Sequence, residues 1–103
     1  MKRGLVACFL ILGLACVNPK TEPQIVEVSC GQCQFKMTSQ KGCDLAVRMD
    51  GKAYFVDGAH IDDFGDAHNI DTGFCEVIRT AEVTGEVIND RFKISSVKLL
   101  NNE

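Results

Sequence analysis

Between Cys43 and Met49 the chain alternates strictly. Cys43, Leu45, Val47 and Met49 fall on one face, and Asp44, Ala46, Arg48 and Asp50 on the other. A period of two is the signature of a half-buried strand. A slip of one residue would turn every apolar side chain to the wrong face, so the register is fixed as well. Asp50-Gly51 follows directly. Both residues tolerate positive φ, which a two-residue hairpin with the twist of its strands requires. Lys52 to Val56 then returns as a partner strand, with Ala53 and Phe55 on one face and Tyr54 and Val56 on the other. This segment commits the chain to antiparallel β structure.

The rest reads around that hairpin. Ile25 to Cys30 alternates, with Val26, Val28 and Cys30 together, and is strand one. Gly31 to Gly42 reads as a loop. Asp57 to Thr72 is a long acidic segment without a sustained period, of the length that in small domains is often functional. Thr72 is placed to cap a short helix from Gly73 to about Ala81, in which Phe74, Val77, Ile78 and Ala81 recur at helical spacing. Glu82 to Ile88 is strand four, and Gly85 inside it marks a bulge or a close backbone approach. Asn89-Asp90 is a second tight turn. Arg91 to Leu100 is strand five, whose apolar parity changes near Ser95-Ser96 and so predicts a bulge there. The fold class is mainly β (α+β): five strands as an OB-like, partly open barrel or sheet, with one short helix between strands three and four.

The first residues are of another kind. Lys2 and Arg3 precede an apolar run from Gly4 to Val17, too short for a membrane span and suited to a signal peptide. It ends in Ala15-Cys16, which resembles the lipobox of bacterial lipoproteins, although Gly13 stands where leucine is usual. The resemblance implies acylation of Cys16; ordinary signal-peptidase cleavage is the alternative. The expected organisation is a signal peptide over 1–15, a tether over 16–24 containing Pro19 and Pro23, and one small domain over 25–100. Lys2 and Arg3 leave with the signal peptide, so the net charge of −3 becomes −5. That balance argues against a nucleic-acid partner. The expected location is the exported bacterial cell envelope, with the membrane as partner through the lipid.

A domain of this size buries little and commonly needs a disulfide or metal staple. Four cysteines remain in it: Cys30, Cys33, Cys43 and Cys75. Cys30-x2-Cys33 spaces two thiols to chelate one metal ion or to close a redox disulfide. With Cys43 and Cys75 the set reads either as a metal site or as two disulfides in one of three connectivities. His60 and His68 lie in the acidic segment with Asp57, Asp62, Asp63, Asp66 and Asp71, and are further candidate ligands. Met37, four residues after Cys33, is another and would favour copper(I). The bland readings are a solvated acidic loop and a gap-filling methionine. A calcium-loop pattern, a nucleophile elbow, a phosphate-cradling glycine loop and an H-E-x-x-H zinc motif are all missing, so no catalytic residue is assigned.

Four short runs together are similar to one family. They are Cys30-Gly31-Gln32-Cys33, Gly42-Cys43-Asp44-Leu45-Ala46-Val47, Gly65-Asp66-Ala67-His68 and Gly73-Phe74-Cys75. The family comprises small exported bacterial proteins of unknown function (domain of unknown function 6370). The resemblance implies a secreted or lipid-anchored protein with paired cysteines, and no activity. A second, partial likeness is to YHS-type metal-binding domains and to the copper lipoproteins that serve nitrous oxide reductase. It rests on Cys30-x2-Cys33-x3-Met37 and Gly51-Lys52-x-Tyr54-Phe55. Val56 and Asp57 stand where that pattern continues into further cysteines.

The functional expectation is an exported, lipid-anchored, non-enzymatic binding module that takes copper or zinc through a Cys/His cluster. The alternative is a disulfide-stapled domain that binds a protein or small ligand in the envelope. A thiol–disulfide oxidoreductase is the lesser alternative, because Gln34 to Gly42 lacks the helical pattern that would follow a redox CxxC.

Overall fold

The computed structural model describes residues 22–100. Five strands close into a barrel: β1 (Gln24–Cys30), β2 (Leu45–Met49), β3 (Lys52–Asp57), β4 (Arg79–Ile88) and β5 (Arg91–Leu99). The order around the wall is β1-β2-β3-β5-β4, returning to β1. All neighbours are antiparallel except β3 and β5, which pair in parallel through Val56–Phe92 and Asp57–Lys93. A five-stranded barrel of this kind is the OB-like architecture expected, here fully closed.

The turns follow from their residues. Asp50 and Gly51 take φ of 52° and 84°, and Asn89 and Asp90 take 54° and 64°, as both tight hairpins demand. Val26, Val28, Leu45, Val47, Val83 and Phe92 fill the interior. In β4–β5 the register shifts between Thr84 and Gly85: Thr84 faces Ser96, Gly85 faces Ile94, and Ser95 is the extra residue. The Thr84 hydroxyl lies 2.8 Å from Ser95 Oγ and 2.7 Å from Ser96 Oγ, fastening the bulge. A Cβ on Gly85 would come within 2.7 Å of the Phe92 ring, so the bulge needs glycine at this close approach.

The outer face of β2 and β3 is also covered. Ala46 and Phe55 are cross-strand neighbours, and both are buried although they point away from the interior. The cover is the segment after β1, which expectation made a loop. It begins instead with a single helical turn, α1 (Gly31–Gln34). Phe35 and Met37 both donate their N–H groups back to the Gly31 carbonyl and fold the segment onto the wall.

The helix expected over 73–81 does not form. The carbonyl of Gly73 accepts from the N–H groups of Glu76 and Val77, which makes one turn, and the chain then extends. Arg79, Thr80 and Ala81 pair with Val28, Glu27 and Val26 as the start of β4. A cross-strand ladder along β1 wins over a weak helical spacing rich in β-branched residues. The helical element between strands three and four is a 3₁₀ turn at Ile61–Phe64. It buries Ile61, and Phe64 meets Phe74 edge-on at 5.7 Å between centroids. The segment expected to be a signal peptide, Cys16 and most of the expected tether lie outside the described residues.

Candidate metal centre

Cys30 ends β1 at the end of the barrel where β2 and β4 begin. Its N–H donates to the Phe74 carbonyl at 3.0 Å, which draws the Gly73–Cys75 segment onto the strand end. Ser29 holds the same segment from the outer face of the wall. It is fully buried, and its hydroxyl lies 2.6 Å from the Phe74 carbonyl oxygen and 2.8 Å from that of Val77. Cys75 is fixed further by its N–H on the Ala67 carbonyl and by Gln34 Nε2, which donates to its own carbonyl at 2.8 Å. Cys33 rides on α1, and Cys43 stands just before β2.

The four sulfurs therefore arrive from four separate places. Cys30, Cys33, Cys43 and Cys75 have their Sγ atoms all within 4.8 Å of one another. Cys43 is central, with its Sγ 2.8 Å from that of Cys30 and 2.7 Å from that of Cys75. These separations exceed the roughly 2.05 Å of a disulfide bond. They fall short of the roughly 3.8 Å edge of a tetrahedron with metal–sulfur distances near 2.3 Å. Cys30 is buried, Cys43 and Cys75 are half-buried, and Cys33 is exposed.

The thiols differ in acidity. Burial alone would push the Cys30 thiol up. Hydrogen bonds to its sulfur from Cys43, from Cys33 and from the backbone N–H groups of Cys33 and Gln32 outweigh that and lower it. Donors aimed at a sulfur favour its thiolate. Cys33 is pushed up to about 11, chiefly by its hydrogen bond to Cys30 and then by burial and Cys75. Burial, with the hydrogen bonds to Cys30 and Cys75, raises Cys43 as well. Hydrogen bonds thus converge on the Cys30 sulfur, which itself lies 3.6 Å from Gln32 Oε1 as a donor.

A polar network braces the cluster from beneath. Gln32, between the two cysteines of the CxxC, donates from Nε2 to Asp44 Oδ2 at 2.8 Å. Gln40 Nε2 donates to the same carboxylate oxygen at 2.8 Å. Those two amides, more than any charge, hold the Asp44 carboxyl below its ordinary value. Arg91 Nη1 donates to Gln40 Oε1 at 3.1 Å and, through Nε, to both carboxylate oxygens of Asp57 at 3.0 Å. None of these polar positions except the aspartates stood out in the sequence; the Gln inside the CxxC was the available signal.

The structure does not bring the histidines into the cluster. Among the described residues, the group of closely spaced ligand atoms is cysteine alone. His60 caps the 3₁₀ turn: its Nδ1 accepts from the Asp62 N–H at 3.1 Å, and Asp63 returns a carboxylate to the His60 N–H. His68 is exposed, with its N–H held by Asp66. Met37 Sδ lies over Gly31, 2.8 Å from where a Cβ would stand there.

The model of a family of unknown function, DUF6370, matches residues 24–100, and the chain belongs to that family. No curated protein and no solved structure matches the chain.

Proposed function

We propose that this member of DUF6370 is a non-enzymatic module of the cell envelope that holds one soft metal ion, zinc or copper(I), on four cysteine thiolates. The observation that carries the reading is the mutual approach of four sulfurs to within 4.8 Å. Two disulfides need only pairwise proximity, whereas a single ion needs all four sulfurs at one point. Four thiolates form a closed tetrahedral set, which suits a structural site for zinc and is soft enough for copper(I). Such a set leaves no position for a substrate, and this supports a binding role. Loading moves Cys43 away from Cys30 and Cys75 by about 1 Å each, to the spacing a metal–thiolate tetrahedron takes. The N–H groups of Gln32 and Cys33 then stabilise the Cys30 thiolate in the loaded form, as outer partners do in metal sites. Export and a lipid anchor on Cys16 are part of the proposal, supported by the charged start, the apolar run and Ala15-Cys16.

One observation favours the disulfide reading as a second. Cys43 has a sulfur neighbour on either side, and it can bond to only one of them. An oxidising envelope would then give a stapled domain with a lone pair of thiols or a second bridge. Elemental analysis of the purified full chain separates the two. The metal reading predicts one ion per chain, lost in Cys30→Ser. A chain without metal, whose thiols cannot be alkylated before reduction, overturns it.

A further inference from the structure

The four sulfurs are not equivalent. Cys30 is buried at the end of β1, Cys43 and Cys75 are half-buried, and only Cys33 is exposed. The three less exposed cysteines are each fixed by the backbone around them. Cys30 is a strand residue with its N–H on Phe74, and it pairs with Leu45 across the ladder. Cys75 is held on both sides of its peptide, by Ala67 and by Gln34. Cys43 adjoins Asp44, whose carbonyl takes the Gly31 N–H and whose carboxylate takes two amides. Cys33 sits on a four-residue turn that is held through its neighbours Gln32 and Gln34, and with its Sγ in the cluster it is still the member of the four that solvent reaches.

We infer that Cys33 is the exchangeable ligand of this centre: the metal enters and leaves on the Cys33 side, by direct transfer to an acceptor that presents a sulfur ligand. The inference rests on the metal reading above and deepens it, since it turns a holding site into one that can pass its ion on. In the exchange the metal–Cys33 bond breaks as a metal–sulfur bond to the acceptor thiol forms. The proton lost by the acceptor goes to the Cys33 thiolate. No electrons change hands, so no oxidant or reductant is required. Cys30, Cys43 and Cys75 keep the ion until the acceptor supplies further ligands. Because the acceptor enters before Cys33 has left for good, the rate depends on the acceptor.

The test uses the full chain loaded with Zn²⁺ and challenged with dithiothreitol, with released zinc read by a chromogenic chelator. Release from the wild type should rise in proportion to dithiothreitol. Cys33→Ser should still bind one zinc, but release it about tenfold faster or more, the scale on which even the outer partners of metal ligands act. In the zinc-loaded wild type, limited iodoacetamide treatment followed by peptide mass mapping should find Cys33 alkylated before the other three. This second readout decides the matter if Cys33→Ser fails to fold. Release independent of dithiothreitol, a folded Cys33→Ser that binds no zinc or releases it at the wild-type rate, or simultaneous alkylation of all four cysteines overturns the inference and leaves the metal reading standing. A wild type that takes up no zinc overturns the metal reading itself.

Discussion

Gln32 and Asp44 are joined twice: Gln32 Nε2 donates to Asp44 Oδ2 at 2.8 Å, and the Asp44 N–H donates to Gln32 Oε1 at 2.9 Å. The pair ties the turn that carries Cys33 to the residue that follows Cys43, so two halves of the cluster share one clamp. Gln32→Ala removes both bonds and leaves a half-buried carboxylate short of a donor. The expected cost is about 1–3 kcal/mol of stability, since each net bond contributes about 0.5–1.5 kcal/mol. Metal affinity should fall by about 10- to 100-fold, as for outer partners of metal ligands. Urea denaturation and competition with a chelator measure the two effects separately, and an unchanged affinity would show that the clamp does not position the sulfurs.

Asp44 and Asp57 give the fold a dependence on acid. Asp44 is lowered by the Gln40 and Gln32 amides, and Asp57 by its hydrogen bonds from Arg91. A carboxyl whose folded value lies below its unfolded value adds stability above the unfolded value, near 4. That stability is lost as pH falls through the lower, folded value. The urea midpoint should thus hold level from neutrality to about pH 5 and decline below about pH 4. Asp44→Asn should flatten the decline. A decline just as steep in the variant would assign it to other groups.

Ser29→Ala tests the attachment of the Cys75 segment. The buried hydroxyl serves the carbonyls of Phe74 and Val77, and alanine leaves them without it. Losing a buried partner of this kind costs about 1–3 kcal/mol. Because the freed segment also carries Cys75, hydrogen exchange at the Cys75 amide should rise more than at amides in the β4–β5 hairpin. Uniform protection throughout would mean the segment is held by its other contacts.

Gly31 is required by space. A Cβ there would stand 2.6 Å from the Phe55 ring, 2.8 Å from Met37 Sδ and 3.1 Å from Ala46 Cβ. Gly31→Ala must push α1 off the wall, at an overpacking cost of about 1–3 kcal/mol. Met37→Ala in the same chain should return part of that cost, because the thioether is the flexible one of the three neighbours. A thermal midpoint for the double variant equal to the sum of the single changes would show that Met37 does not share the strain.

The strands were readable because their constraints are local. Alternation placed Val26, Val28 and Cys30 together, and Asp50-Gly51 set the next register without reference to the rest of the chain. The bulge at Ser95 was readable as a change of parity between Ile94 and Val97. The course of 73–81 was not, because it depends on Ser29 and Cys30, more than forty residues away, offering partners to Phe74 and Val77. The cysteines could be named as a set, but their convergence is a property of the closed barrel. The histidines illustrate the converse. Their closeness to the cysteines in sequence pointed to shared ligation, while the His60 imidazole is occupied in capping Ile61–Phe64. Asp63 three residues after His60 was the local signal for that cap.

The most direct measurement is the mass of the intact chain, taken first under native and then under denaturing conditions. A four-cysteine metal centre should give a native mass heavier than the denatured one by a single metal ion, and a denatured mass in which Cys30, Cys33, Cys43 and Cys75 all carry their hydrogens. A native mass without an ion, together with a denatured mass short of those hydrogens, would contradict it and leave a disulfide-stapled barrel.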